Sequence, residues 1–114
     1  MNLPIVVENL IKAQESFDHV AFANSFSESG VLFDEGKTHT GRAEIARWID
    51  RGNKKYIPVM KPISFEGDDV SGILITEISG TFPGSPLMFT YHFGFDGQQI
   101  QSLKITLCFG MFPR

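Results

Sequence analysis

Apolar positions recur at helical spacing in the first half of the chain. One stripe, which predicts a first helix, consists of Val6, Leu10, Ala13 and Phe17. Asp18 is a residue that caps helices, and a second predicted helix follows it as far as Phe26. Thr40 can cap a third helix, which the pair Gly52-Asn53 would end.

After the third helix the pattern changes to strands separated by turns. A short strand at residues 31–33 precedes that helix, and longer strands are predicted at 56–66, 70–82, 87–95 and 99–109. Pro58 and Pro62 place the first long strand at an edge of the sheet, because proline cannot donate to a ladder. The pattern predicts an α+β fold, with three helices in the concave face of a curved, mixed, mostly antiparallel sheet.

Alternation along the strands separates the two faces of this sheet. From Leu87 to Phe95 the odd-numbered residues are apolar or aromatic, and we expect them to face the helices. The outward positions form a patch that a second copy of the chain would cover: Ile73, Ile75, Met88 and His92. We therefore expect a homodimer through the convex face, the alternative being a monomer with scattered apolar surface residues.

Composition excludes several classes of function. A chain of 114 residues with 42% hydrophobic content predicts one domain spanning residues 1–114. The net charge of -3 and the scattered Lys and Arg argue against a nucleic-acid partner. Cys108 is the only cysteine and has no metal-ligand spacing with the histidines, so we expect no disulfide, metal or cofactor. Without a signal peptide or a run of ~20 apolar residues, the sequence predicts a cytoplasmic protein that does not enter a membrane.

Four segments together resemble the SnoaL-like proteins of the nuclear transport factor 2 superfamily. They are VLFDEG at 31–36, TGRAEIARWI at 40–49, GTFPGSP at 80–86 and FGFDGQQI at 93–100. The resemblance covers essentially the whole chain. It implies a cone-shaped fold with a central pocket, and it implies dimerisation through the convex face of the sheet.

The same resemblance implies a pocket for a small apolar or ring-shaped ligand. Its implied lining consists of Leu10, Ala13, Trp48, Leu74, Ile78, Phe89, Tyr91, Ile105 and Leu107. The alternative is a solid interior, because aromatic residues at strand spacing often fill a core and the chain has 11 phenylalanines.

Asp34 is the candidate for chemistry in this pocket. The resemblance aligns it with the general base of the ketosteroid isomerases, and burial would raise its pKa. Leu10 falls where those enzymes have a helix tyrosine, and Tyr91 falls on or near the position of their strand acid. The alternative makes Asp34 an exposed turn residue beside Glu35 and Gly36.

Two classes of function follow. The first is a SnoaL-like pocket protein that binds a small apolar ligand without chemistry. The second is a proton-transfer enzyme of the isomerase, cyclase or dehydratase type, with Asp34 as general base and Tyr91 as hydrogen-bond donor. A protein-interaction domain is a third class, but the sequence singles out no surface for it.

Overall fold

A computed structural model of the chain describes residues 1–108. The helices are α1 (Ile5–Glu15), α2 (His19–Asn24) and α3 (Arg42–Tyr56). The strands are β1 (Phe26–Asp34), β2 (Lys37–Thr40), β3 (Val59–Gly67), β4 (Ser71–Ser79), β5 (Leu87–Asp96) and β6 (Gln99–Leu107). The predicted end of the last strand at Phe109 lies outside the described residues. The α+β class is confirmed.

The strands form one curved sheet of six in the order β2-β1-β6-β5-β4-β3. β1 and β6 run parallel, whereas the other neighbours run antiparallel, so the sheet is mixed as predicted. β3 is the edge strand that its prolines predicted, and its register with β4 shifts between Pro62 and Ser64.

The core lies between the helices and the concave face of the sheet. Val7 of α1 and Ile45 of α3 are fully buried there, in one hydrophobic cluster with Phe93 of β5. The predicted alternation is confirmed on β4, where Leu74 is fully buried and Ile73 on the opposite face is 47% exposed. The inner face of β4 and β5 therefore faces the helices.

The predicted end of the second helix was wrong. α2 ends at Asn24, and Phe26 begins β1, where it pairs with Ile100 of β6. Asp18 does cap the helix, since its side chain accepts a hydrogen bond of 3.0 Å from the backbone of Ala21. The parallel pairing with β6 overrides the helical spacing of the phenylalanines, because distant strand partners are invisible to local propensity.

The hairpin between β1 and β2 was also missed. Glu35 and Gly36 have φ angles of 53° and 76°, which is the geometry of a two-residue turn that matches strand twist. Thr40 therefore ends β2 and does not cap α3, whose N-cap is Gly41. The Glu44 side chain instead accepts a hydrogen bond of 3.1 Å from the backbone of Thr40. The hairpin holds Asp34 at the last position of its strand.

α3 continues one turn beyond its predicted stop. The helix runs through Gly52 and Asn53 to Tyr56, and Ile57 then adopts a left-handed conformation with a φ of 48°. Asn53 does not end the helix because its side chain is buried against α1, where Gln14 binds it. This extra turn brings the end of α3 over the concave face of the sheet.

Candidate functional site

A pocket of about 810 Å³ opens between the helices and the concave face of the sheet. That volume is in the range of small-molecule sites. Six of the nine residues expected to line it do so: Trp48, Ile78, Phe89, Tyr91, Ile105 and Leu107. The wall of this pocket is largely apolar.

Three of the expected lining residues do not lie on this wall. Leu10 of α1 and Leu74 of β4 are fully buried in the hydrophobic core and are not exposed to the cavity. Ala13 instead borders a separate surface groove near Asp18 and Gly97. Leu10 and Ala13 of the predicted helical stripe are buried but do not line the pocket, and the prediction was wrong for Phe17, which follows the end of α1 and is 40% exposed.

Asp34 and Tyr91 lie in one row across the sheet. Asp34 of β1 pairs with Ile105 of β6, and Ile105 pairs in turn with Tyr91 of β5. Residues directly opposite one another on neighbouring strands point to the same face, so both side chains point into the pocket. Two strand spacings separate their backbones by about 10 Å, with Ile105 between them. A ligand group can therefore lie between the carboxylate and the phenol.

The surroundings of both groups raise their pKa values. Burial, with a further contribution from the negative charge of Glu35, raises the pKa of Asp34 to about 6, and a hydrogen bond from the Glu35 backbone opposes this. Burial and then the charge of Asp34 raise the pKa of Tyr91. Asp34 can therefore exchange a proton near neutral pH, whereas Tyr91 stays a neutral hydrogen-bond donor. Asp34 does precede a turn, but its carboxylate is not fully exposed.

Two amide side chains on the helix wall were not predicted. Gln14 of α1 donates a hydrogen bond of 2.8 Å from Nε2 to Oδ1 of Asn53 on α3, and both residues line the pocket. Their side chains are only 7% and 6% exposed. A signal existed in the sequence, since Gln14 follows Leu10 and Asn53 follows Ile49 by one helical turn. Each amide therefore continues an apolar stripe.

The loop at residues 80–86 covers one end of the pocket. Phe82 packs edge-on against Tyr56, with ring centroids 6.0 Å apart, and both residues line the pocket. Thr81 fixes the loop to the end of α3 by two hydrogen bonds. Its backbone N–H donates to the Tyr56 carbonyl at 2.8 Å, and its hydroxyl donates to the Lys55 carbonyl at 3.0 Å. The mouth of the pocket thus depends on the last turn of α3.

A solved structure from Sinorhizobium meliloti, named a "putative polyketide cyclase", is 32% identical to this chain. The match covers 91% of this chain and 95% of that one, with a TM-score of 0.87. The chain belongs to the SnoaL-like, nuclear transport factor 2-like superfamily. No protein-family model matches the sequence, and no curated protein does.

More distant structures share the SnoaL-like fold. A protein with a ketosteroid isomerase-like fold from Catenulispora acidiphila, in complex with trimethylamine, is 18% identical over 95% of this chain and 88% of that one, with a TM-score of 0.84. A nuclear transport factor 2-like protein from Cytophaga hutchinsonii is 14% identical over 90% and 87%, with a TM-score of 0.75. At these identities the likeness concerns the fold alone.

Membership of the SnoaL-like superfamily does not determine what the pocket does, which depends on this chain's own residues. Leu10, the residue that the resemblance aligns with the helix tyrosine of the ketosteroid isomerases, is buried and has no hydrogen-bond donor, whereas Tyr91 of β5 lies on the pocket wall. Residues 1–108 contain no group of three or more His, Cys, Asp and Glu side chains that could hold a metal ion. Within the same range, no helix is both long and apolar enough to cross a membrane.

The convex face of this SnoaL-like sheet carries the residues expected at a dimer interface. Ile73 is exposed, whereas Ile75 and Met88 are half-buried. The ring of His92 is 3.1 Å from the hydroxyl of Thr106 on the neighbouring strand, so it lies along the sheet surface. The face is thus apolar with polar interruptions, and the homodimer stays a prediction.

Proposed function

We propose that this protein binds an apolar, ring-bearing carbonyl compound and transfers a proton on it, with Asp34 as general base and Tyr91 as hydrogen-bond donor. One observation carries the proposal. The Asp34 carboxyl, with its pKa raised to about 6, lies on the wall of a largely apolar pocket and in one row with a neutral phenol. A base is most effective when its pKa is close to the working pH.

The step requires no group beyond these two side chains and the substrate. The Asp34 carboxylate takes a proton from the carbon beside the carbonyl, and the electron pair of that C–H bond forms a carbon–carbon double bond. The carbonyl π electrons move to oxygen, where Tyr91 stabilises the developing charge by a hydrogen bond. Where the substrate has a carbon–carbon double bond next to the deprotonated carbon, the enolate is a conjugated dienolate, and return of the proton from Asp34 to its far end gives an isomer. Where the substrate has a second carbonyl, attack of the enolate carbon on it closes a ring, and the new alkoxide takes the proton from Asp34.

The apolar walls suit this chemistry. A bound ring compound would displace water from the pocket's aromatic and aliphatic side chains, so the hydrogen bond to the enolate would be stronger than in solvent. The volume of about 810 Å³ accommodates a compound of several rings. The name of the Sinorhizobium meliloti relative supports the ring-closing version of the reaction.

The second candidate is a binding protein without chemistry. The observation in its favour is Leu10, which leaves Tyr91 as the donor without the helix tyrosine of the ketosteroid isomerases. A single donor stabilises an enolate less than a pair does. The two candidates differ in one measurable property, which is whether a bound ketone exchanges its acidic protons.

The experiment uses β-tetralone, a two-ring ketone with acidic protons beside its carbonyl. The protein is mixed with it in deuterium oxide, and loss of the proton signal is followed by NMR. We expect the wild type to accelerate exchange and Asp34→Asn to lose at least ~100-fold of that acceleration, the usual contribution of a general base. Binding seen by Trp48 fluorescence without accelerated exchange would select the second candidate.

A further inference from the structure

We infer that Asn53, oriented by Gln14, is a polar anchor for a second oxygen of the ligand. The ligand is then a ring compound with a carbonyl at one edge and a hydroxyl or second carbonyl at another. The position of the reacting carbonyl rests on the proposed function. The anchor itself rests on a different wall of the pocket and on different residues.

The amide pair is incompletely satisfied as it stands. Gln14 and Asn53 share one hydrogen bond, yet Oε1 of Gln14 is buried and has no hydrogen-bond partner among the described residues. An amide side chain can make four hydrogen bonds, and native proteins rarely leave buried polar atoms unpaired. The unpaired atom is an acceptor on a residue that lines the pocket, so its missing partner is a donor, and a ligand hydroxyl that donates to it can also accept from the neighbouring Asn53 amino group.

The pair can present either a donor or an acceptor to that group. As placed, the Nε2 atom of Gln14 donates and the Oδ1 atom of Asn53 accepts, which leaves the Asn53 amino group free to donate. If both amides rotate by half a turn, Asn53 donates to Gln14 and turns its oxygen to the pocket. The same two residues thus accommodate a carbonyl or a hydroxyl oxygen, and Gln14 is the positioning residue in both arrangements.

The location of the pair separates it from the reacting groups. Gln14 and Asn53 project from α1 and α3, whereas Asp34 and Tyr91 project from the sheet. A ligand held from both walls has its reacting carbon fixed relative to the base, which is how binding groups remote from the chemistry contribute to rate. The pair also differs from Asp34 in carrying no charge. Its contribution to binding should therefore be the same below and above the Asp34 pKa of about 6.

A purely structural role is the competing explanation, because a buried amide pair can simply join two helices. The two explanations differ in what they predict for ligands. A structural pair affects stability and treats ligands of equal size alike. An anchor discriminates between a ligand with an oxygen and a ligand of the same size without one, because one hydrogen bond is gained or lost.

The test compares two β-tetralones that carry either a hydroxyl or a methyl group on the aromatic ring. Affinity is measured by Trp48 fluorescence below and above the Asp34 pKa. We expect the wild type to bind the hydroxyl compound about tenfold more tightly than the methyl compound at both pH values. Gln14→Met should retain a preference of about threefold, and Asn53→Leu should show none. The double variant Gln14→Met with Asn53→Leu replaces both polar partners by apolar groups of similar size, so it should fold and show no preference.

Each outcome decides the inference. Equal affinity of the wild type for both compounds, failure of both to bind, or a preference that survives in the folded double variant would overturn it. If the preference is present but no variant or wild-type protein exchanges the ketone protons, the anchor stands and the proton-transfer proposal fails. If exchange is accelerated but the wild type shows no preference between the two compounds, the proton-transfer proposal stands and the anchor fails.

Discussion

Replacing Asp34 by asparagine should stabilise the protein at neutral pH while removing its base. The pKa of Asp34 is raised from 3.8 to about 6, mainly because burial disfavours the charged form. Since the folded-state pKa exceeds the unfolded one, the folded protein binds the proton more tightly. The group's contribution to stability is complete below the unfolded value and is lost as pH rises through the folded value.

The size of the effect follows from the shift. Each pKa unit corresponds to ~1.4 kcal/mol, so a shift of about two units sets an upper limit of ~3 kcal/mol above pH 6. Partial solvent access to the carboxylate lowers this to ~1–2 kcal/mol. The asparagine of the variant keeps the shape of the side chain without its charge. For a domain of this size the gain corresponds to roughly 4–8 °C in melting temperature.

The assay is urea unfolding of wild type and Asp34→Asn across the range from below pH 4 to neutrality. The difference in unfolding free energy should be near zero at the acid end and grow between 3.8 and about 6. Asp96→Asn is the matched control, because Asp96 is an exposed acid at the end of β5, next to the turn that leads into β6. That control should change stability by less than ~0.5 kcal/mol at every pH.

Two results would refute this reasoning. A stability difference that does not change with pH would mean that the substitution acts through packing and not through ionisation. A destabilised variant at neutral pH would mean that the charged carboxylate is well solvated or paired in the folded protein.

Glu35→Gln offers a graded test, because removing the neighbouring charge should lower the Asp34 pKa and recover part of the stability.

The remaining predictions concern the other parts of the site and the convex face. Tyr91→Phe should slow ketone proton exchange by about a hundredfold with little change in ligand affinity, as measured by NMR and fluorescence. Gly80→Ala should destabilise by ~1–3 kcal/mol in thermal melts, because its Cβ would lie 2.5 Å from the Tyr56 carbonyl oxygen; an unchanged melting temperature would contradict the fixed loop. Wild type should sediment as a homodimer at micromolar concentration and Ile75→Glu as a monomer, since a charge would enter an apolar contact of at least ~1,000 Å². Sedimentation of the wild type as a monomer would contradict the dimer prediction.

The two faces of the sheet were predictable from the sequence because successive side chains of a strand point to opposite faces. Once Tyr91 is placed inward, every second residue of β5 follows, and the fold class follows from helices preceding a meander. The β1–β2 hairpin was not predictable in the same way. Its turn residue Glu35 has a positive φ, which is uncommon outside glycine and asparagine, and Phe26 is drawn into β1 by a partner more than seventy residues later.

The helix wall of the site was harder to predict than the sheet wall. A helical stripe shows that Leu10 and Gln14 share one face, but it does not show which of them lies beneath the pocket and which lies on its edge. That distinction depends on where α1 and α3 cross the sheet. Local sequence contains no information on that crossing, so the stripe places Gln14 on the buried face of α1 but does not show that it lies at the pocket.

The division between the two walls bears on how such a pocket acquires specificity. Strand register fixes Asp34 and Tyr91 relative to each other through backbone pairing with Ile105, so their spacing changes only if the sheet itself changes. Gln14 and Asn53 are joined only by side chains across two helices. Substitution there can alter which ligand binds without disturbing the base and its donor. On the proposed function, the sheet sets the chemistry and the helix wall sets the choice of substrate.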